Sequence, residues 1–329
     1  MKKRVVSGIT ATGSLTIGNY LGAIKNFVEL QDDYDMFIFV ADLHALTTSI
    51  DPKLLEKNKK EIMALYLACG LDPNKSTIFF QSDVIEHGIM NWLMLTQTTL
   101  GELNRMTQFK DKSSKVKSSN KTQKIPTGIL MYPTLMAGDI LLYNPHLVPV
   151  GIDQKQHLEL TRNIAIRINN KFGEIFNIPE VFISKEGSKI MSLTDPNVKM
   201  SKSSTQSNSH ILLLDDPSIA IKKIMKSVTD SENKVFISDD KPGVKNLLTI
   251  YAGLKNISLN ESENLFKDSN YKEFKESVAK EVEKFLINLQ NKFQESMSKV
   301  DEVSIIGAQK AQKIARKNLI ELETKMGLK

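Results

Sequence analysis

The sequence predicts an α/β protein built on a doubly wound parallel sheet and followed by an all-helical C-terminal domain. Three observations carry that expectation: short apolar strands alternate with helical stretches early in the 329-residue chain, a small-residue turn follows the first strand, and β-branched alternation fades after Ser203. The boundary is therefore expected at 203/204, with the sheet in residues 1–203, the helices in 204–329, and the last helix able to pack back on the first domain.

The elements follow in order. Arg4-Val5-Val6-Ser7-Gly8-Ile9 reads as a buried strand that runs into Thr10-Ala11-Thr12-Gly13-Ser14, after which Leu15-Thr16-Ile17-Gly18-Asn19-Tyr20 opens a helix expected to reach Gln31. Strand, small-residue turn and helix make a phosphate-binding geometry, because glycine lets backbone approach a ligand and a helix start offers unpaired N–H groups. The turn matches neither the P-loop pattern nor the dinucleotide fingerprint. Further strands are expected at 36–41 and 77–81, with a helix over 52–69 ended by Gly70. Helices over 126–143 and 153–172 flank a short strand at 147–150. Ligands of such a sheet gather beyond the carboxyl ends of its strands, where the turn at 10–14 falls.

Beyond the polar linker after Ser203, two apolar stripes have helical spacing: Val278, Val282, Phe285, Leu289, Phe293, and then Ala308, Ala311, Ala315, Leu319, Leu322. Both are expected to face a helical core.

Composition sets outer bounds. No apolar run is long enough to span a bilayer and the N-terminus lacks a signal-peptide pattern, so a cytoplasmic location is expected. The single cysteine, Cys69, excludes intrachain disulfides and thiolate metal cages, and its apolar surroundings suggest packing. A net charge of +6 would help attract a polyanion. Residues 110–124 set six lysines against one aspartate, which reads as a solvated, mobile loop of the kind from which active-site lids are drawn.

The chemistry is most legible in Lys199-Met200-Ser201-Lys202-Ser203, where two lysines flank a small hydroxyl residue and could clamp a leaving polyphosphate. This run is identical to the KMSKS signature, and Thr16-Ile17-Gly18-Asn19 resembles the HIGH signature, of class I aminoacyl-tRNA synthetases. Three more stretches resemble the tryptophanyl-tRNA synthetase family: 101–110 (GELNRMTQFK), 132–143 (YPTLMAGDILLY) and 148–157 (VPVGIDQKQH). The resemblance covers nearly the whole chain.

It implies a Rossmann-like catalytic domain, a helical anticodon-reading domain and a homodimer. The implied substrates are L-tryptophan, ATP and tRNA(Trp), with Mg2+ carried by the nucleotide phosphates and no protein metal site. By the same resemblance, Lys199, Lys202 and Lys112 stabilise the departing pyrophosphate, with Thr16 and Asn19 at the helix start. Thr10, Ala11, Thr12, Gly18 and Asn19 would line the ATP site together with Met200, Ser201 and Ser203. Gly151, Ile152 and Asp153 would approach the ribose, and the backbone near Ile190 the adenine.

Choosing tryptophan requires a flat apolar slot and an acceptor for the indole N–H. Asp139 suits that task, since it lies on an otherwise apolar helix where a carboxylate is costly to bury unless something binds it. The alternative is that it turns to solvent or caps a helix. Met136 could floor the ring or belong to the core, and Gly8 would border the slot. Tyr132, Gln154 and His44 are candidates for the amino acid's ammonium and carboxylate, although His44 could equally be structural and Asp42 a helix cap. His87 and Trp92 fit an ordinary amphipathic helix and receive no role.

Two departures from the family pattern stand out. Thr10-Ala11-Thr12-Gly13 replaces a Gln-Pro-Ser-Gly run, and Val6 occupies a position where an aromatic residue often lines the pocket. The rival readings are a tyrosyl enzyme, whose phenol could also donate to Asp139, and a nucleotide- or RNA-binding module without catalysis.

Overall fold

The computed structural model describes residues 2–114, 125–151, 154–182, 189–202 and 204–329. Five strands, β1 (Arg4–Thr10), β2 (Asp35–Ala41), β3 (Ser76–Phe80), β4 (Leu147–Pro149) and β5 (Glu180–Phe182), form one parallel sheet in the order β3-β2-β1-β4-β5. β1 pairs with β2 along its whole length, from Arg4 opposite Asp35 to Thr10 opposite Ala41, and meets β4 at Val5 and Leu147. The chain thus builds outward through β2 and β3, then returns to lay β4 and β5 on the other side of β1. The β1/β4 junction is the point where the strand order reverses, which in such sheets opens a crevice at the carboxyl ends.

After β1 come α1 (Ile17–Asn19), a π-helical turn at Tyr20–Ile24 and α2 (Lys25–Leu30). α3 (Asp42–Ala45) and α4 (Pro52–Ala68) join β2 to β3. Between β3 and β4 lie α5 (Glu86–Thr96), α6 (Leu100–Asn104), α7 (Thr107–Ser114) and α8 (Thr127–Leu141), and α9 (Lys155–Phe172) leads to β5. The remainder holds α10 (Pro217–Met225), α11 (Pro242–Lys255), α12 (Leu259–Phe266) and the 55-residue α13 (Tyr271–Lys325). Local chemistry explains the helix starts. Asp51 accepts hydrogen bonds from the Lys53 and Leu54 amides while Pro52 occupies the first turn of α4, and Asn270 and Glu273 close a reciprocal cap on α13.

Both faces of the sheet are covered, so its central strands are apolar on alternate sides. Val5, Ile38, Val40, Ile78 and Phe80 join one core with α4, α11 and the first part of α13. Val6, Phe37, Phe39 and Phe79 join the other with α5, α8, α9 and the last part of α13. α13 passes from one core to the other around the edge strand β3. At the crossing stands Gly307, where a methyl group would overlap the Ile78 carbonyl.

This arrangement corrects the expected destination of the two stripes. Both lie on α13; Val278 to Phe293 pack in a core that includes the sheet, and Ala308 to Leu322 bury against the opposite sheet face. Phe285 is only partly buried, its ring tilted against that of Tyr20 with centroids 4.5 Å apart, and Leu286 takes the fully buried place. The expected continuous helix to Gln31 is interrupted by the π-helical turn. The stretch at 110–124 begins as helix rather than loop, since α7 runs to Ser114; residues 115–124 lie outside the described residues. Among the described residues no helix is long and apolar enough to cross a membrane.

Candidate active site

A cleft of about 650 Å3 opens at the carboxyl ends of β1, β2 and β4. Its walls include Gly8, Thr10, Thr12, His44, Tyr132, Met136, Asp139, Gly151, Gln154 and Lys202, ten residues singled out from the sequence. Gly8 belongs at the wall because the Phe39 carbonyl stands 2.6 Å from where a side chain would begin.

At one end the chain leaves β1 in a tight turn. The Thr12 amide donates to the Thr10 carbonyl and the Ala11 amide to Ala41 on β2. Gly13 follows with φ +138°, a backbone region that side-chain-bearing residues rarely adopt. Lys202 reaches this turn: a methyl group on Gly13 would lie 2.6 Å from its Nζ. Burial holds the Lys202 ammonium below its ordinary pKa. Among the described residues no carboxylate pairs with it.

Lys202 is delivered by a short antiparallel hairpin. The Ser192 amide donates to Val198 and the Met200 amide to Ile190, closed by the Val198-to-Asp195 turn. Asn246 of α11 anchors the hairpin by accepting from the Met191 amide at 2.8 Å and donating to its carbonyl at 2.9 Å. The hairpin packs against the start of α1, for a methyl on Gly18 would come 3.4 Å from Ile190 and 3.8 Å from Met200. Close packing at Gly18 is therefore with the hairpin, not with the sheet. Thr16 and Asn19 form a reciprocal cap: the Thr16 amide donates to Asn19 Oδ1 at 2.8 Å, and the Asn19 amide to Thr16 Oγ1 at 3.3 Å. Ala11, Thr16, Ile190 and Met200 are buried behind the cleft wall.

The other end is organised around Asp139 of α8, which is 1% exposed. His44 Nε2 donates to its Oδ2 at 2.7 Å; Gln81 Nε2 and His87 Nδ1 each donate to Oδ1 at 2.7 Å. Burial pushes the carboxyl up, but the hydrogen bonds and charge of His44 and His87 outweigh it and hold it at about 2. With three donors among the described residues on a group that accepts four, one acceptor position is left, on Oδ2 beside His44. Asp139 neither turns to solvent nor caps a helix.

Tyr132, two turns earlier on α8 with its ring 6.3 Å from that of His44, donates to Gln108 at 3.0 Å and accepts from His157 at 2.8 Å. Burial raises its hydroxyl well above the ordinary value. Asp42 is no helix cap: it accepts from the Ser82 amide at 2.9 Å and from Lys59 at 2.6 Å. The strand expected to 81 stops at Phe80, because Gln81 turns its side chain to the Leu43 amide and Asp139.

Sequence reasoning missed Gln81 and gave His87 no role. Yet His87 shares the i, i+3, i+7 spacing of Met90 and Met94, all fully buried, and a histidine on a buried face needs partners. It finds them in Asp139 and in the Tyr143 hydroxyl at 2.8 Å. Ile152, Asp153, Ser203 and the Lys112 side chain lie outside the described residues.

The chain that forms this cleft is closely similar to known proteins. The family described as tRNA synthetases class I (W and Y) matches residues 1–299. A tryptophan–tRNA ligase of Mycoplasmopsis pulmonis (strain UAB CTIP) is 62% identical over 328 residues, covering 100% of this chain and 99% of that protein. This chain belongs to the tryptophan–tRNA ligases. The ligase of Bacillus subtilis (strain 168) is 48% identical over 331 residues, covering 100% and 98%. The crystal structure of tryptophanyl-tRNA synthetase from Mycoplasma pneumoniae superposes with a TM-score of 0.94 at 42% identity, covering 100% of this chain and 99% of that one. That from Campylobacter jejuni, complexed with ADP and tryptophan, gives 0.80 at 33% identity, covering 98% and 99%. The fold is that of this ligase family, and the chain is an aminoacyl-tRNA ligase.

Proposed function

We propose that this ligase activates L-tryptophan with ATP in the cleft and passes the tryptophanyl group to the terminal ribose of tRNA(Trp). The observation that carries the reading is the convergence of Lys202 on the Gly13 turn at one end of a cleft that ends, at the other, on the single open acceptor of Asp139. In the adenylation step a tryptophan carboxylate oxygen bonds to the α-phosphorus, the bond from that phosphorus to the bridging oxygen breaks, and the electron pair leaves on pyrophosphate. Positioned positive charge is what this step needs, and Lys199 and Lys202 supply it, with Lys112 as a third cation. Thr10, Ala11, Thr12 and Gly18 shape the nucleotide end, with Thr16 and Asn19 holding the helix start. Met200, Ser201 and Ser203 carry the lysines. Gly151, Ile152 and Asp153 approach the ribose, and Ile190 the adenine.

Asp139 accepts the indole N–H between Gly8 and Met136, and Val6 leaves the slot wider than an aromatic residue would. Tyr132, Gln154 and His44 hold the ammonium and carboxylate. Magnesium enters on the ATP phosphates; among the described residues no group of three or more histidine, cysteine or carboxylate side chains could hold a metal. Residues 1–203 form the catalytic domain, and residues 204–329 read the anticodon in a cytoplasmic homodimer. The full-length similarity to tryptophan–tRNA ligases disfavours the tyrosine alternative.

ATP–pyrophosphate exchange driven by each of the twenty amino acids tests the reading. Exchange is expected with tryptophan alone; exchange with tyrosine instead would overturn the specificity, and none at all would favour a binding module.

A further inference from the structure

Asn58 lies on α4 with 3% of its surface exposed, and its Nδ2 has no hydrogen-bond partner. A buried amide in that condition is disfavoured by roughly the worth of the missing bond, so natural proteins rarely keep one without a use. Its position is informative. The methyl group that Gly13 lacks would lie 3.9 Å from Asn58 Nδ2 and 2.6 Å from Lys202 Nζ. Two donors, one from α4 and one from the KMSKS run, thus face the same glycine. What is missing is an acceptor.

We propose that Asn58 donates through Nδ2 to a phosphate oxygen of the nucleotide's polyphosphate tail, completing with Lys202 an anion site built around Gly13. The proposal rests on the function given above and extends it to a residue outside both signature motifs. An amide suits this place better than a second lysine would. It adds a donor without adding charge next to Lys202, so the empty site carries no like-charge repulsion. A site that holds the tail from two sides also fixes the line along which pyrophosphate departs.

The competing account turns the amide the other way, so that its oxygen merely orients the Lys202 ammonium. Two variants separate the accounts. Asn58→Leu keeps volume and removes both polar atoms; Asn58→Asp keeps an acceptor for Lys202 but sets negative charge against phosphate. Inorganic pyrophosphate, ATP, adenosine and tryptophan would be titrated calorimetrically into the full-length protein and both variants, alongside thermal melts. Asn58→Leu is expected to weaken pyrophosphate and ATP about ten- to a hundredfold, the worth of one bond to a charged group. Adenosine and tryptophan affinities should hold, and Tm should not fall because a partnerless amide has been removed. Asn58→Asp should bind pyrophosphate more weakly still. Unchanged pyrophosphate affinity in Asn58→Leu, equal losses for all four ligands with a lowered Tm, or recovery in Asn58→Asp would each overturn the proposal. Tryptophan-dependent exchange by the wild type reports separately on the function itself: its absence sinks that reading, while the pyrophosphate titrations still decide the role of Asn58.

Discussion

The ammonium of Lys202 stands over Gly13, so close that a single methyl group on the glycine would come within 2.6 Å of Nζ. Two segments almost two hundred residues apart in sequence therefore share one small space. Gly13→Ala should disturb it twice, through a φ of +138° that alanine resists and through displacement of the lysine. The expected outcome is a raised KM for ATP and a lowered exchange rate, with tryptophan affinity unchanged and a stability loss of about 1–3 kcal/mol. Thermal melts and exchange kinetics check both.

Burial of Lys202 has a consequence for pH. Its folded pKa lies below the ordinary 10.5, so between the two values the unfolded chain holds more protons and stability rises with pH. Below that window the ammonium is charged in both states, and its desolvation opposes folding in full. Lys202→Met should therefore melt above the wild type at neutral pH. The gap should narrow as pH climbs through the alkaline window, and a constant gap would count against the assignment.

Asp139 behaves in the opposite sense. Its folded value of about 2 lies below the ordinary 3.8, so its contribution to stability is complete above the latter and is lost as pH falls through the former. Asp139→Asn leaves His44 and His87 facing an amide and should cost about 3 kcal/mol, the scale of breaking a buried pair. The deficit in Tm should be flat through neutral pH and shrink only below about pH 4. Discrimination against other aromatic amino acids in the exchange assay should worsen; unchanged selectivity would remove Asp139 from the pocket.

Gly307 offers a control far from the chemistry. α13 crosses the edge strand there, and Gly307→Ala must push the helix away from Ile78. A loss of about 1–3 kcal/mol is expected, the usual range for overpacking a close contact. Its KM values for ATP and tryptophan should match the wild type once both proteins are folded.

How much of this was legible before the fold was known depended on the range of the forces involved. The parallel sheet and the small-residue turn follow from local pattern: strands buried on both faces read as continuous apolar runs, and β2 is such a case. The cap joining Thr16 to Asn19 is also local. That the last helix could pack back on the first domain was expected, but that its second stripe meets the sheet was not legible, because a stripe of alanines and leucines fits a helical partner as well as it fits a sheet. His87 and Asn58 had a readable sign. Each sits at helical spacing with buried apolar neighbours, Met90 and Met94 in one case, Ile62 and Leu65 in the other. That spacing marks a polar group as buried but does not name its partner, since the partner comes from another element. Gln81 gave no sign, as only the fold brings the end of β3 to α8.

The most direct test of the account is Lys202→Ala, read by tryptophan-dependent pyrophosphate exchange beside the affinity for tryptophan. Loss of a preorganised charge at the departing group should slow exchange by about a hundredfold or more while tryptophan affinity stays within about twofold. Equal losses in the two quantities, or exchange at the wild-type rate, would contradict the convergence of Lys202 on the opening turn.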